Sequence, residues 1–199
     1  SMLREFSPAD VLTLGNGACG VGSIFLCLQY LAEDERRFLW TAFVLLPLAF
    51  VLDAADGWVA RKTRRGSRLG GDLDSLADVV SFGVAPAVLG YTLGMRGGWD
   101  AMILIYFVLC GIARLARFNV TADDLATESG KVAYFEGTPI PTSLALVALL
   151  GVAFAGDHVH AALWGGELRL GPWLLHPLVL LFGLSGSAMI SARLRIPKP

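Results

Sequence analysis

D-A-A-D-G-W-V-A-R, from Asp53 to Arg61, and G-G-D-L-D-S-L-A-D, from Gly70 to Asp78, flank eight residues rich in arginine and lysine. Asp53 and Asp56 are three apart, and Asp74 and Asp78 are four apart. On helices each pair shares a face. Apolar sequence runs on at either side, from Phe38 to Leu52 before and from Val79 to Gly94 after. Eight residues of helix from Asp53 to Arg61 cover roughly 12 Å, which sets the acids inside a membrane boundary and Arg61 near it. Carboxylates at that depth are costly unless something neutralises them. Two pairs facing one another would give hard divalent cations the oxygen ligands they prefer. Two cations about 4 Å apart suit phosphoryl transfer.

The composition agrees with a membrane setting. Of 199 residues, 55% are hydrophobic and 17% charged, with a net charge of -1. Charged residues are scarce for a soluble protein, and a nucleic-acid partner is not indicated. Cys19, Cys27 and Cys110 lie in apolar runs without metal spacing and read as packing residues. No cleavable signal is evident at the start.

The chain divides into six apolar stretches, each near the roughly 20 residues a bilayer requires. They run at about 11–32, 38–60, 70–95, 99–119, 138–155 and 172–192. The expected fold is therefore an all-α integral membrane protein with six transmembrane helices, forming one domain over 1–199. Leu3, Phe6 and Val11 give the first residues an apolar side, which fits either an interfacial helix or an unstructured tail. Gly15, Gly17, Ala18, Gly20, Gly22 and Ser23 let the first span approach its neighbours closely, and such faces allow a homodimer. Arg61–Arg68 is expected to be a basic loop, 121–137 a polar loop, and 156–171 a loop with some apolar content. Trp40, Trp99 and Trp173 mark span edges. Pro86, Pro139 and Pro141 are expected to shape helices. His158, His160 and His176 fall away from the aspartates and read as interface residues.

Charge then orients the six spans. One side gathers Arg4, Arg61, Lys62, Arg64, Arg65, Arg68, Arg114, Arg117, Lys131, Arg193, Arg195 and Lys198; the other has Arg36, Arg37, Arg96 and Arg169. The excess of positive charge places both termini and the aspartates on the cytoplasmic side, in the plasma membrane if the cell is prokaryotic.

Small residues accompany the acids. Gly57 follows Asp53 by one turn, Ala60 follows Asp56, and Gly70 precedes Asp74, leaving room for a bulky ligand. The pattern D-x-x-D-G-x-x-A-R, eight residues, then G-x-x-x-D-x-x-x-D resembles the signature of the CDP-alcohol phosphotransferase family. Asp53, Asp56, Gly57, Ala60, Arg61, Gly70, Asp74 and Asp78 match every fixed position. The six-span layout matches as well. The resemblance implies a membrane enzyme that moves a phosphatidyl group from CDP-diacylglycerol to an alcohol and releases CMP. It implies two divalent cations, Mg²⁺ or Mn²⁺, held by Asp53, Asp56 and Asp74, with Asp78 sharing in binding and acting as general base. Gly57, Ala60 and Gly70 would line the nucleotide pocket, with Arg61 a further candidate there.

Three runs resemble the serine-accepting branch of that family: Asp74–Ala87, Ala113–Asn119 and Phe135–Pro141, where Thr138 departs from the Leu common in the branch. Thr13–Gly20 resembles it too. L-serine carries a carboxylate, and Arg114 and Arg117 are candidates to meet it. Asn16 is placed to contact the nucleotide or to bond a neighbouring helix, and Thr13 is a lesser candidate. Another acceptor, such as glycerol 3-phosphate or an inositol phosphate, would use the same chemistry. A non-catalytic divalent-cation carrier is the rival from another class.

Overall fold

The computed structural model describes residues 7–63, 68–127, 134–191 and 195–197. Helix α1 (Pro8–Glu33) starts at a capping box. Ser7 Oγ accepts from the Asp10 N–H at 3.3 Å, and Asp10 Oδ2 accepts from the Ser7 N–H at 2.6 Å. Pro8, which has no N–H to leave unpaired, takes the first helical position. Asp34, in the left-handed region at φ 54°, ends the helix and turns the chain into α2 (Arg36–Thr63).

The two helices form a tight antiparallel pair because the glycines of α1 admit side chains from α2. A Cβ on Gly15 would stand 3.3 Å from Leu52, and one on Gly22 would stand 3.2 Å from Leu45. Gly20 faces the other way. A Cβ there would come within 2.8 Å of the Ser81 Cα, so only glycine permits this approach.

Ser81 lies in the third apolar stretch, which has three parts: α3 (Arg68–Asp78), a π-helical segment (Val79–Val84) and α4 (Ala85–Leu93). The Ala85 N–H bonds the Val80 carbonyl five residues back. Pro86, next in line, has no N–H to restore ordinary four-residue spacing at once. This continuous stretch, Leu69–Leu93, is the most enclosed apolar helix of the bundle.

Helix α5 (Gly98–Thr127) follows. A 3₁₀ turn (Ile140–Ser143) leads into α6 (Leu144–Ala155), and another (Pro177–Val179) leads into α7 (Leu180–Ile190). Two short antiparallel pairings accompany the helices. β1 (Tyr134–Glu136) pairs with β4 (Arg195–Pro197), and β2 (Leu168–Leu170) pairs with β3 (Trp173–Leu175). The interior is aromatic and aliphatic: Phe107 meets Phe182 edge-on at 5.2 Å, and Phe154 meets Tyr30, Trp40 and Phe43. The outer surface is apolar as well, with Val11, Phe25, Val44, Val51, Ile105, Leu109 and Leu184 all more than half exposed. Such a surface suits acyl chains rather than water.

Among the described residues, four helices are long and apolar enough to cross a membrane: Pro8–Glu33, Arg36–Lys62, Leu69–Leu93 and Gly98–Val120. Ile140–Ala155 and Pro177–Ile190 are apolar but shorter. The expected sixth span at 172–192 needs correction. Trp173, Leu174 and Leu175 belong to a strand that folds back on Leu168–Leu170 around Gly171, at φ 65°. A short apolar run does not by itself distinguish strand from helix. The loops at 61–68 and 121–137 are also shorter than expected, since α2 runs to Thr63, α3 begins at Arg68 and α5 continues to Thr127. Helix α1 absorbs residues 8–10 of the expected interfacial segment. The rest of that segment lies outside the described residues, as do Arg4, Arg64, Arg65, Lys131, Arg193 and Lys198 and the side chains of Arg68 and Arg195.

Candidate active site

The acidic motif occupies the end of α2 and the body of α3, and its two halves meet at one end of the bundle. Carboxylate oxygens of Asp53, Asp56 and Asp74 all lie within 4.8 Å of one another. Asp56 is buried, and the other two are half-buried. If all three are ionised, each pair repels by about 3–4 kcal/mol at an effective dielectric constant near 20. The sum of about 10 kcal/mol matches the whole stability of an ordinary domain. A fully charged cluster therefore requires a cation.

The donor set fits such an ion. It consists of carboxylate oxygens from two helices, the hard ligands that Mg²⁺ and Mn²⁺ accept. One of these oxygens, Asp74 Oδ1, is buried without a hydrogen-bond partner. The resemblance implies a divalent metal, and Asp53, Asp56 and Asp74 are the residues that would hold it.

Asp78, one turn after Asp74, is buried too and is not a member of that triple. Its Oδ1 accepts from Asn16 Nδ2 at 3.1 Å. Asn16 is fixed in turn from α3's continuation, where Ser81 Oγ donates to the Asn16 carbonyl at 2.9 Å. Of the two roles weighed for Asn16, the observed contact is the bond to a neighbouring helix. Its Oδ1 remains buried and unpaired. Thr13 has a larger part than its sequence setting suggested: its hydroxyl donates to Asp56 Oδ2 at 2.5 Å. Asp10, Thr13 and Asn16 are all buried and spaced three apart on α1. That polar stripe on an otherwise apolar helix is the signal that points to both contacts.

Arg61 is exposed, and its Nη1 lies 3.5 Å from where a Gly57 Cβ would stand, so the side chain folds back along α2 toward the acids. That is ordinary van der Waals distance, so protein packing alone does not demand glycine at 57. Ala60 and Gly70 are half-buried near the same end. The two arginines of α5 part company. Arg114 is partly buried, with its Nε enclosed, whereas Arg117 is exposed. Arg114 is the one Lys or Arg among the described side chains that is not classed as exposed. Ser75 Oγ donates to Asn119 Oδ1 at 3.0 Å, tying α3 to α5 beside the acids, a pairing that no local pattern signals.

At the opposite end, His176 corrects the interface reading. It is 3% exposed, and its Nδ1 lies 2.6 Å from Asp100 Oδ2. Asp100 Oδ1 also accepts from the His176 N–H at 2.8 Å, and Asp100 Oδ2 from the Gly97 N–H at 2.9 Å. This buried pair pins the segment after β3 to the start of α5. Among the described residues, the sole group of three or more potential metal-ligating side chains is the aspartate triple.

A bundle of apolar helices that brings carboxylates from two of them together at one end defines a membrane protein with a candidate metal centre. The sequence profile of CDP-alcohol phosphatidyltransferases matches residues 6–182, and the chain belongs to that family. It is 44% identical to the CDP-diacylglycerol–serine O-phosphatidyltransferase of Saccharomyces cerevisiae, in a match covering 100% of this chain and 73% of the yeast protein. It is 39% identical to the archaetidylserine synthase of Methanothermobacter thermautotrophicus over 70% of this chain and 55% of that one. The CDP-diacylglycerol–serine O-phosphatidyltransferase of Mycobacterium leprae is 36% identical over 77% of this chain and 50% of its own length. The chain thus spans only about half of the archaeal and mycobacterial relatives.

Proposed function

We propose that the chain transfers a phosphatidyl group from CDP-diacylglycerol to L-serine, giving phosphatidylserine and CMP. The observation that carries this reading is the convergence of Asp53, Asp56 and Asp74 within 4.8 Å, beside an Asp78 held by Asn16. The names of the relatives supply the substrate class.

Bound at the aspartates, a pair of Mg²⁺ or Mn²⁺ ions would neutralise the diphosphate and stabilise the charge of departing CMP. Asp78 accepts the proton of the serine hydroxyl. The hydroxyl oxygen forms a bond to the β-phosphorus of CDP-diacylglycerol. The bond from that phosphorus to the bridging oxygen breaks, and CMP leaves with the oxygen and its electron pair. Asn16 keeps Asp78 aimed, and Thr13 keeps Asp56 aimed. Gly57, Ala60 and Gly70 leave space for cytidine diphosphate, and Arg61 folds back toward that space. Arg114 is the cation for the serine carboxylate, with Arg117 at the rim. A carboxylate has one charge, which a single enclosed arginine balances. A phosphorylated acceptor has nearly two.

In this reading Ile140–Ala155 and Pro177–Ile190 complete six spans, both termini and the site face the cytoplasm, and the lipid tails enter sideways from the bilayer. Close-packing apolar faces leave room for a homodimer. The test is CMP release by purified protein from CDP-diacylglycerol with L-serine, glycerol 3-phosphate and inositol phosphate in turn. Release with serine alone is expected. Release with another alcohol but not serine would refute the acceptor, and cation flux into liposomes without CMP release would favour a carrier.

A further inference from the structure

Four buried polar atoms without a partner belong to neither the metal ligands nor the α1 stripe, and two of them, unlike Ser143 Oγ and His176 Nε2, flank one side chain on the acidic side. Arg114 Nε and Thr138 Oγ1 are both buried without a hydrogen-bond partner. Their positions follow from Ile140. A Cβ on Gly111 of α5 would meet Ile140 Cδ1 at 2.9 Å, and one on Gly83 of the π segment would meet it at 3.9 Å. Ile140 thus plugs the space between those two elements.

Both unpaired atoms lie on the acidic side of that plug. Helix α5 runs toward the acids, as the Ser75–Asn119 bond demonstrates, so Arg114 is one turn nearer to them than Gly111. The chain through 138–155 runs the other way. Its start is held by the Thr138 N–H on the Ala188 carbonyl, and its end meets Arg36, which donates to the Phe154 carbonyl at 2.7 Å on the far side. Thr138 therefore precedes Ile140 on the site side. Asp78 lies five residues before Gly83, on the acidic side of the same apolar stretch.

We propose that Thr138 is a specificity residue: its hydroxyl, with the Arg114 guanidinium, holds the carboxylate of the amino-acid acceptor. The proposal rests on the serine-transfer reading above. A guanidinium supplies charge and one edge of donors, and a hydroxyl supplies a further donor from another direction. The two together suit a small monoanionic head. Thr138 tunes affinity for the acceptor and leaves the chemistry to the aspartates.

The test uses the full chain in mixed micelles with CDP-diacylglycerol, following CMP release against L-serine concentration. Thr138→Val keeps shape and removes the hydroxyl. It is expected to raise KM for serine about tenfold, the lower end of what a hydrogen bond to a charged group contributes. Both kcat and KM for CDP-diacylglycerol should change less than about threefold. Thr138→Ser should restore KM. Serinol, which replaces the carboxylate with a hydroxymethyl group, should be used equally poorly by both forms. An unchanged serine KM in Thr138→Val would overturn the proposal alone, and so would an equal defect in Thr138→Ser. A wild-type protein that ignores serine and turns over another alcohol would overturn the functional reading and the proposal with it.

Discussion

Thr13→Val is the most informative perturbation of the candidate metal centre, because it leaves every carboxylate in place. Thr13 Oγ1 donates to Asp56 Oδ2 at 2.5 Å in a setting where Thr13 is 3% exposed and Asp56 6%. Valine has nearly the same shape and a similar helix propensity, so α1 should persist. What disappears is a charge-assisted hydrogen bond, which contributes about 1.5–3 kcal/mol. If that energy serves to aim Asp56 at a cation, apparent metal affinity falls about 10- to 100-fold, the range typical of partners that orient a ligand. The turnover rate at saturating metal should stay within a few-fold, since the ligands themselves remain.

Two measurements separate this from a general loss of structure. Mn²⁺ binding followed by electron paramagnetic resonance gives the affinity without turnover, and CMP release against Mg²⁺ concentration gives the kinetic counterpart. Thr13→Ser should return both curves to near wild type. Metal affinity within about twofold of wild type in Thr13→Val would refute the reasoning. So would a loss of turnover that no metal concentration restores.

Three further outcomes are expected. Asp74→Asn should reduce CMP release below about one hundredth, since losing a ligand costs more than losing its orienting partner, and activity above a tenth would contradict the cluster. Gly20→Ala should destabilise the protein by about 1–3 kcal/mol, because the new Cβ would meet Ser81 Cα at 2.8 Å; Gly71→Ala, with nothing within 4 Å, is the control for thermal melting in detergent. His176→Phe should lower stability by about 3–5 kcal/mol by leaving the buried Asp100 carboxylate without its ring partner, while kcat of the folded fraction holds. A fall in kcat without a fall in melting temperature would show that this far pair acts on the site.

The aspartates were readable because helical spacing converts three- and four-residue intervals into shared faces, and apolar flanks reveal depth. The four long spans were readable for the same reason. Other features depended on contacts that no local pattern encodes. Arg114 and Arg117 look equivalent as A-R-L-A-R, yet packing turns one inward and leaves the other exposed. The π segment occupies an apolar run that reads equally well as ordinary helix, and its following proline is only a partial clue. Trp173–Leu175 has the composition of a span end, and the left-handed Gly171 makes it a hairpin strand. His176 and Asp100 lie 76 residues apart in sequence, so their pairing appears only once the hairpin folds onto α5.

Both ends of the bundle bury polar groups, and the acidic end gathers most of those that lack a partner among the described residues. At the far end Asp100 uses both oxygens, on His176 and on two backbone N–H groups, while His176 Nε2 lacks a hydrogen-bond partner and lies 3.5 Å from Glu167 Oε1. At the acidic end Asn16 Oδ1, Asp74 Oδ1, Arg114 Nε and Thr138 Oγ1 are all buried and unpaired. Buried polar atoms are rarely left so, because each costs about 1–3 kcal/mol. Two of them are acceptors suited to a cation or a donor, and two are donors suited to an anion. Under the proposed reading, a dianionic nucleotide diphosphate bound with divalent ions, beside a carboxylate-bearing alcohol, would satisfy both kinds at once, whereas a metal ion alone would leave the donors unpaired.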